Sequence, residues 1–145
     1  MTGHHDFDHA AHEGNLWLRK LDDRLGPSAV GQSYLALRAT LHVLRDRLTP
    51  EQAVHLSAQL PLAIRGLFFE SWKMSRTPTR VHSIDEFCEE VGSQLPATFS
   101  LEIVMAVAAV FDVMWSELDP GEIAKIIDAL PRPLHTLWPS VARRA

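Results

Sequence analysis

A fixed offset of 70 positions relates two halves of this chain. Pro50 and Pro120 stand 70 apart, and so do Pro61 and Pro131. At the same offset and without a gap, Leu25 meets Leu95, Ala36 meets Ala106, Val43 meets Val113, Leu48 meets Leu118, Leu60 meets Leu130 and Leu67 meets Leu137. Identities are few, but apolar character agrees wherever a core would need it. Such self-similarity restricts a chain to architectures that can be built twice from one unit. The expected organisation is a flexible N-terminal segment 1–8, a first helical repeat 9–72, a basic connector 73–82 and a second helical repeat 83–141. A unit of about 60 residues is marginal alone by surface-to-volume scaling, so the two should share one compact domain.

Each repeat reads as about four helices, which makes the expected fold class all-α. Leu18, Leu21 and Leu25, matched by Cys88, Val91 and Leu95, share one helical face through steps of three and four. In the second helix Tyr34, Leu37, Leu41, Leu44 and Leu48 form a stripe, and Val104, Val107, Phe111, Met114 and Leu118 repeat it. The third helix opens at Thr49-Pro50 and at Asp119-Pro120. There a side-chain oxygen can accept an orphan backbone N–H, and the proline lacks an N–H that would go unused anyway. Val54, Leu56 and Leu60, with Ile123, Ile126 and Leu130, supply its apolar side. Next come "QLPLAIRGLFFESW" and "ALPRPLHTLWPSV". Proline forces the preceding leucine out of the α region, so Leu-Pro reads as a corner used twice. Ile64, Leu67 and Phe68, matched by Leu134, Leu137 and Trp138, should fold back onto the longer helices; a direct ligand role is the alternative. Alternating β-branched runs and Asn-Gly turns are absent.

Composition narrows the function classes. Hydrophobic residues make up 46% of the 145 and charged ones 22%, ordinary usage for a globular chain. A net charge of −4 argues against general nucleic-acid binding, which needs basic excess to neutralise phosphates. One cysteine, Cys88, leaves no intrachain disulfide and fits a reducing compartment. The first residues, "MTGHHDFDHAAHEGN", are too polar for a signal peptide. The longest apolar run, Ile103 to Phe111, is too short to span a bilayer. The expectation is a cytoplasmic protein with no membrane segment.

The repeats differ most in charge. Arg38, His42, Arg45, Asp46 and Arg47 lie off the stripe of the second helix, while Ala108 and Trp115 replace Arg38 and Arg45 in the second copy. With Ile103, Met105, Val110 and Val113 that second copy is apolar nearly all round. Such a helix is either the centre of the molecule or, through Trp115, a contact with a second subunit. The connector "KMSRTPTRVH" has three basic residues and no acid. It reads as a solvated linker, or as an anion or partner contact joined by Arg65 or the Arg38/Arg45 edge. Trp72 would anchor it. The candidate binding residues are thus Arg38, His42, Arg45, Arg65 and Trp72.

Chemistry-bearing patterns are sparse. His4, His5, Asp6, Asp8, His9 and His12 cluster near the N-terminus, and His9 and His12 could share a helix face beside Glu13 to hold zinc. Terminal segments rarely hold ligands rigidly, so no metal and no cofactor are assigned. Cys88 reads as a buried structural thiol. Asp85-Glu86 and Glu89-Glu90 read as a solvated face that suits a helix start. No phosphate loop, Gly-x-Ser-x-Gly elbow or His-Glu-x-x-His motif is present, and no catalytic residue is assigned. The leading functional expectation is a non-enzymatic module that binds a protein partner or itself. A small-ligand or anion-binding domain using the basic edge comes second, and an enzyme third.

The segments "FDHAAHEGNLWLRKL", "YLALRATLHVLRDRL", "AQLPLAIRGLFFESW", "TPTRVHSIDEF" and "DPGEIAKIIDALP" resemble the bacterial family called domain of unknown function 2267. The resemblance runs from about Phe7 to Pro139, most specifically in Leu44–Leu48 and Ala58–Gly66. It implies a cytosolic, all-helical bacterial domain and supplies no catalytic or ligand residues. Family members tend to have Tyr-Tyr-Glu-Gly-Trp where this chain has Phe-Phe-Glu-Ser-Trp at 68–72. Without the two hydroxyls, these rings are expected to pack rather than to donate hydrogen bonds.

Overall fold

Residues 3–144 are described by a computed structural model, and they form helices without a strand. The α-helices are α1 (Gly3–Leu25), α2 (Ser33–Arg47), α3 (Pro50–Ser57), α4 (Leu62–Phe69), α5 (Ile84–Ser93), α6 (Ile103–Glu117) and α7 (Pro120–Ala129). Short 3-10 segments lie at Pro27–Ala29, Met74–Arg76, Arg132–Leu137 and Ala142–Arg144. The protein is all-α, and no described helix is long and apolar enough to cross a membrane.

Local chemistry sets the helix starts. Thr49 Oγ1 accepts from Gln52 N at 3.2 Å, and Gln52 Oε1 accepts from Thr49 N at 3.0 Å, closing a capping box at α3. Asp119 Oδ2 accepts from Glu122 N at 3.1 Å at α7. Ser83 and Glu86 make a second capping box at α5, through Oγ to Glu86 N at 3.1 Å and Oε1 to Ser83 N at 3.1 Å. Each cap is worth about 1 kcal/mol. Pro61 and Pro131 both take extended ψ, 154° and 144°, and turn the chain after Leu60 and Leu130. After Pro61 the chain resumes as α4. After Pro131 it makes a 3-10 segment instead of the expected fourth α-helix. Arg132 precedes Pro133, and that position resists α geometry.

α2 and α6 pack on each other at the centre, α1 lies across α2, α4 and α6, and α5 rests on both central helices. α3 and α7 touch each other at the far side. One contiguous apolar cluster runs from Trp17 to Ala142. It includes Leu41, Phe111, Leu60 and Leu130, all at most 4% exposed. Phe111 and Trp138 stack with centroids 4.0 Å apart and planes 6° apart, and Phe87 meets Phe111 edge-on at 5.8 Å. Fully burying a side chain of this size contributes about 1.5–3 kcal/mol.

The stripes are shorter than the spacing predicts. Tyr34 and Val104 sit in the first turns of α2 and α6, beyond the edge of the core, and are exposed, as is Val54 on α3. On α1 and α5 the buried faces centre on Trp17 with Leu21 and on Phe87 with Val91. Leu18 and Cys88, expected to face inward, are only half-buried. A step of four from residue 17 or 87 fits a helix as well as a step of three from 18 or 88, and the larger ring takes the core. Cys88 keeps a thiol pKa raised by burial and by the charge of Asp85. α6 is central from Ala106 to Met114, but Met105 is exposed and Trp115 half-buried.

Two expected segments take definite form. The described part of the N-terminal segment, from Gly3 on, is the start of α1 with mostly exposed side chains; residues 1 and 2 lie outside the described ones. The connector is anchored on α2 near its far end, while most of its side chains, Lys73 and Arg76 among them, are exposed. Thr79 N donates to Asp46 O at 2.8 Å, Arg47 Nε donates to Val81 O at 2.7 Å, and Val81 is buried.

Candidate functional site

Arg38, His42 and Arg45 follow one another on α2 by steps of four and three, which aligns them on the flank away from the leucine stripe. With Asp46 they form one wall of an open cleft of about 450 Å³. Ser71, Lys73, Arg76 and Thr79, from the turn after α4 and the connector, form the other wall, and Gln94 at the end of α5 closes it. The docking of Thr79 and Val81 onto α2 brings Lys73 and Arg76 there.

The α2 side chains are mostly committed to structure. Arg45, 3% exposed, donates from Nη1 to Phe68 O at 2.9 Å and Glu70 O at 2.8 Å, and from Nε to Asp46 Oδ1 at 2.8 Å. His42, 4% exposed, donates its Nε2 proton to Leu67 O at 2.8 Å. Together they donate to the Leu67, Phe68 and Glu70 carbonyls where α4 ends; Leu67 O also accepts from Glu70 N at 3.2 Å. Burial holds the His42 pKa below the ordinary histidine value; the Leu67 carbonyl opposes this, and Arg45 and Arg38 reinforce it. His42 is therefore a neutral imidazole at neutral pH. Arg38, a third exposed along its side chain, donates from Nε to Glu70 Oε1 at 2.6 Å.

Arg65 lies elsewhere. Its Nε donates to Ser57 O and its Nη2 to Leu60 O, both at 2.9 Å, at the corner between α3 and α4. His135, 70 positions on, donates from Nε2 to Leu130 O at 2.9 Å. The two corners are thus pinned by a basic side chain at matching positions. Trp72 packs against Phe69 with centroids 5.1 Å apart and does not line the cleft; its Nε1 is shielded from solvent without an acceptor among the described residues.

Lys73 and Arg76 enter through the basic connector that the sequence marks as a unit. Thr79 belongs to the same connector, while Gln94 carries no sequence signal, because nothing local links it to α2. Ser71 has φ 59°, the left-handed region that glycine favours, and the resemblance noted above sets a glycine there.

A larger depression, about 530 Å³, lies between α1, α6 and the C-terminal segment. It is mostly apolar, and two of its charged groups, Arg24 and Asp112, pair with each other. His9 and His12 are exposed on α1, where His9 Nε2 pairs with Glu13 Oε1 at 2.9 Å. Among the described residues no three His, Cys, Asp or Glu side chains gather as a metal site.

No curated protein matches the chain. A family model described as an uncharacterized conserved protein, DUF2267, matches residues 14–137, which is most of the length. The chain belongs to the DUF2267 family.

Proposed function

We propose that the protein is a non-enzymatic interaction module, that the cleft beside α2 is its docking face, and that the occupant is an acidic segment of a protein partner. One observation carries this reading. Four cationic side chains, Arg38, Arg45, Lys73 and Arg76, line the cleft against a single carboxylate, Asp46, in a chain whose net charge is −4. Lys73 and Arg76 are exposed and make no ion pair among the described residues. Like charges gathered in a concave surface focus the local field and speed the encounter with an oppositely charged partner. Binding fits better than proton transfer, because His42 has its Nε2 proton on the Leu67 carbonyl.

The same reading treats residues 9–72 and 83–141 as two related units joined by 73–82. The supporting facts are the boundaries of α2 and α6, which differ by 70 at both ends, and the matching bonds of Arg65 and His135. A lone free thiol at Cys88 suits a cytoplasmic location.

The test uses a fluorescent oligo-glutamate peptide and anisotropy at low ionic strength. Binding should weaken with added salt and vanish in the double variant Lys73→Glu/Arg76→Glu, whose exposed positions leave helicity intact. No binding by the parent protein, or equal binding by the variant, overturns the docking face. Arg45 is a poor probe, since its loss would disturb the end of α4.

A further inference from the structure

We infer that the cleft contains a phosphoryl-group subsite built from the Ser71 and Thr79 hydroxyls, the Gln94 amide and the Lys73 and Arg76 cations. The inference rests on the cleft being a docking face and names the group that the partner presents there: a phosphorylated side chain.

The argument starts from which donors are already used. Nε and Nη1 of Arg45 serve Asp46 and two backbone carbonyls, so this side chain contributes charge more than new bonds. Arg38 has its Nε on Glu70. Lys73 and Arg76 remain unpaired, beside neutral donors of three residues. Counting lining charges, four cations less one carboxylate leave +3, and Glu70, paired with Arg38 at the edge, brings this to +2. A carboxylate brings one charge and two oxygens. A phosphate monoester brings up to about two charges and three acceptor oxygens, so it can use cations and neutral donors together.

Two further facts fit this assignment. Thr79 lines the cleft, and its Oγ1, shielded from solvent in the present rotamer, has no hydrogen-bond partner among the described residues. A change of its χ1 rotamer would turn that hydroxyl to an oxyanion. Ser71 holds φ 59°, where glycine would be less strained, and so keeps a hydroxyl on the cleft wall.

The experiment compares a phosphoserine peptide, the same peptide with glutamate in place of phosphoserine, and inorganic phosphate, by anisotropy and competition. The phosphoserine peptide should bind about tenfold more tightly than the glutamate peptide, since charge-assisted bonds to extra oxygens are gained. Inorganic phosphate should displace it, while binding more weakly. The variant Thr79→Val/Gln94→Ala keeps every charge. It should lose most of that tenfold preference and bind the glutamate peptide as the parent does, with unchanged thermal stability. Equal binding of the two peptides overturns the subsite and leaves the acidic docking face standing. Inorganic phosphate binding as tightly as the phosphopeptide overturns the assignment to a protein-borne group. Failure of both peptides to bind overturns the subsite and the docking face together.

Discussion

Arg45, in the middle of α2, holds the end of α4: its Nη1 donates to the carbonyl oxygens of Phe68 at 2.9 Å and Glu70 at 2.8 Å. Arg45 is 3% exposed, and its bond to Phe68 O is buried while that to Glu70 O is partly so. Replacing Arg45 by Met leaves two carbonyls and Asp46 without their donor. The expected loss is about 3 kcal/mol of unfolding free energy, because a buried partner is left uncompensated. Urea unfolding of Arg45→Met should show it as a lower midpoint. Arg45→Lys should recover only part, since one ammonium nitrogen replaces the two nitrogens, Nη1 and Nε, that serve the carbonyls and Asp46.

His42 gives stability a pH dependence. Its folded pKa is depressed, chiefly by burial, so in the window below the unfolded value the unfolded chain binds more protons than the folded one. The contribution is therefore full above the unfolded histidine pKa and is lost as pH falls from there through the folded value. Unfolding free energy measured from about pH 8 to about pH 5 should fall more steeply for the parent than for His42→Gln, whose amide can still donate to the Leu67 carbonyl but does not titrate. Parallel curves would show that His42 does not carry the effect.

Arg65 and His135 should matter to similar degrees at their two corners. Arg65→Met removes the side-chain donor from the Ser57 and Leu60 carbonyls, the first of which keeps its bond from Leu60 N, and His135→Leu removes the donor from that of Leu130. Each substitution should cost about 1–2 kcal/mol by chemical denaturation. Neither should change peptide binding, because neither residue lines the cleft.

Ser71→Gly should stabilise the fold. Relief of a left-handed backbone in a non-glycine residue is worth about 1–2 kcal/mol, less about 0.5–1 kcal/mol for the greater freedom of glycine when unfolded. A net gain near 0.5–1 kcal/mol should appear as a higher melting temperature. The same variant should weaken phosphopeptide binding, separating stability from function at one position.

Trp138 stacks on Phe111 and is 1% exposed. Trp138→Ala should cost about 3–5 kcal/mol through the cavity it leaves. Trp138→Phe should cost much less, because Nε1 has no acceptor to lose and a ring still fills the stack. Thermal unfolding of the two variants tests the difference.

Much of the fold was legible because its determinants are local or periodic. The Leu-Pro corners, the caps at Thr49 and Asp119 and the leucine stripe of α2 each depend on residues within a few positions of one another. The Ser83-Ile-Asp-Glu86 box was equally readable, as a hydroxyl three positions before a glutamate, but it was missed. On α1 the expected face of Leu18, Leu21 and Leu25 left out Trp17: Leu21 is buried and Leu18 and Leu25 pack at the core's edge, but the larger Trp17 side chain takes the deeper position. Arg38, His42 and Arg45 were legible as one helix flank, and the connector as a basic segment. Arg65 was grouped with them on charge alone, and the structure places it at a different corner.

Chain-local chemistry thus settled the helices, their starts and the proline corners, because capping, backbone sterics and apolar period act over a few residues and need no tertiary partner. Packing alone settled which cations are buried in the wall and which remain free. Arg45 and His42 are committed because α4 ends against them, while Lys73, Arg76 and Gln94 share a cleft because the connector docks on α2. Those outcomes depend on distances between residues far apart in the chain and on desolvation, and neither is written in any short stretch of sequence.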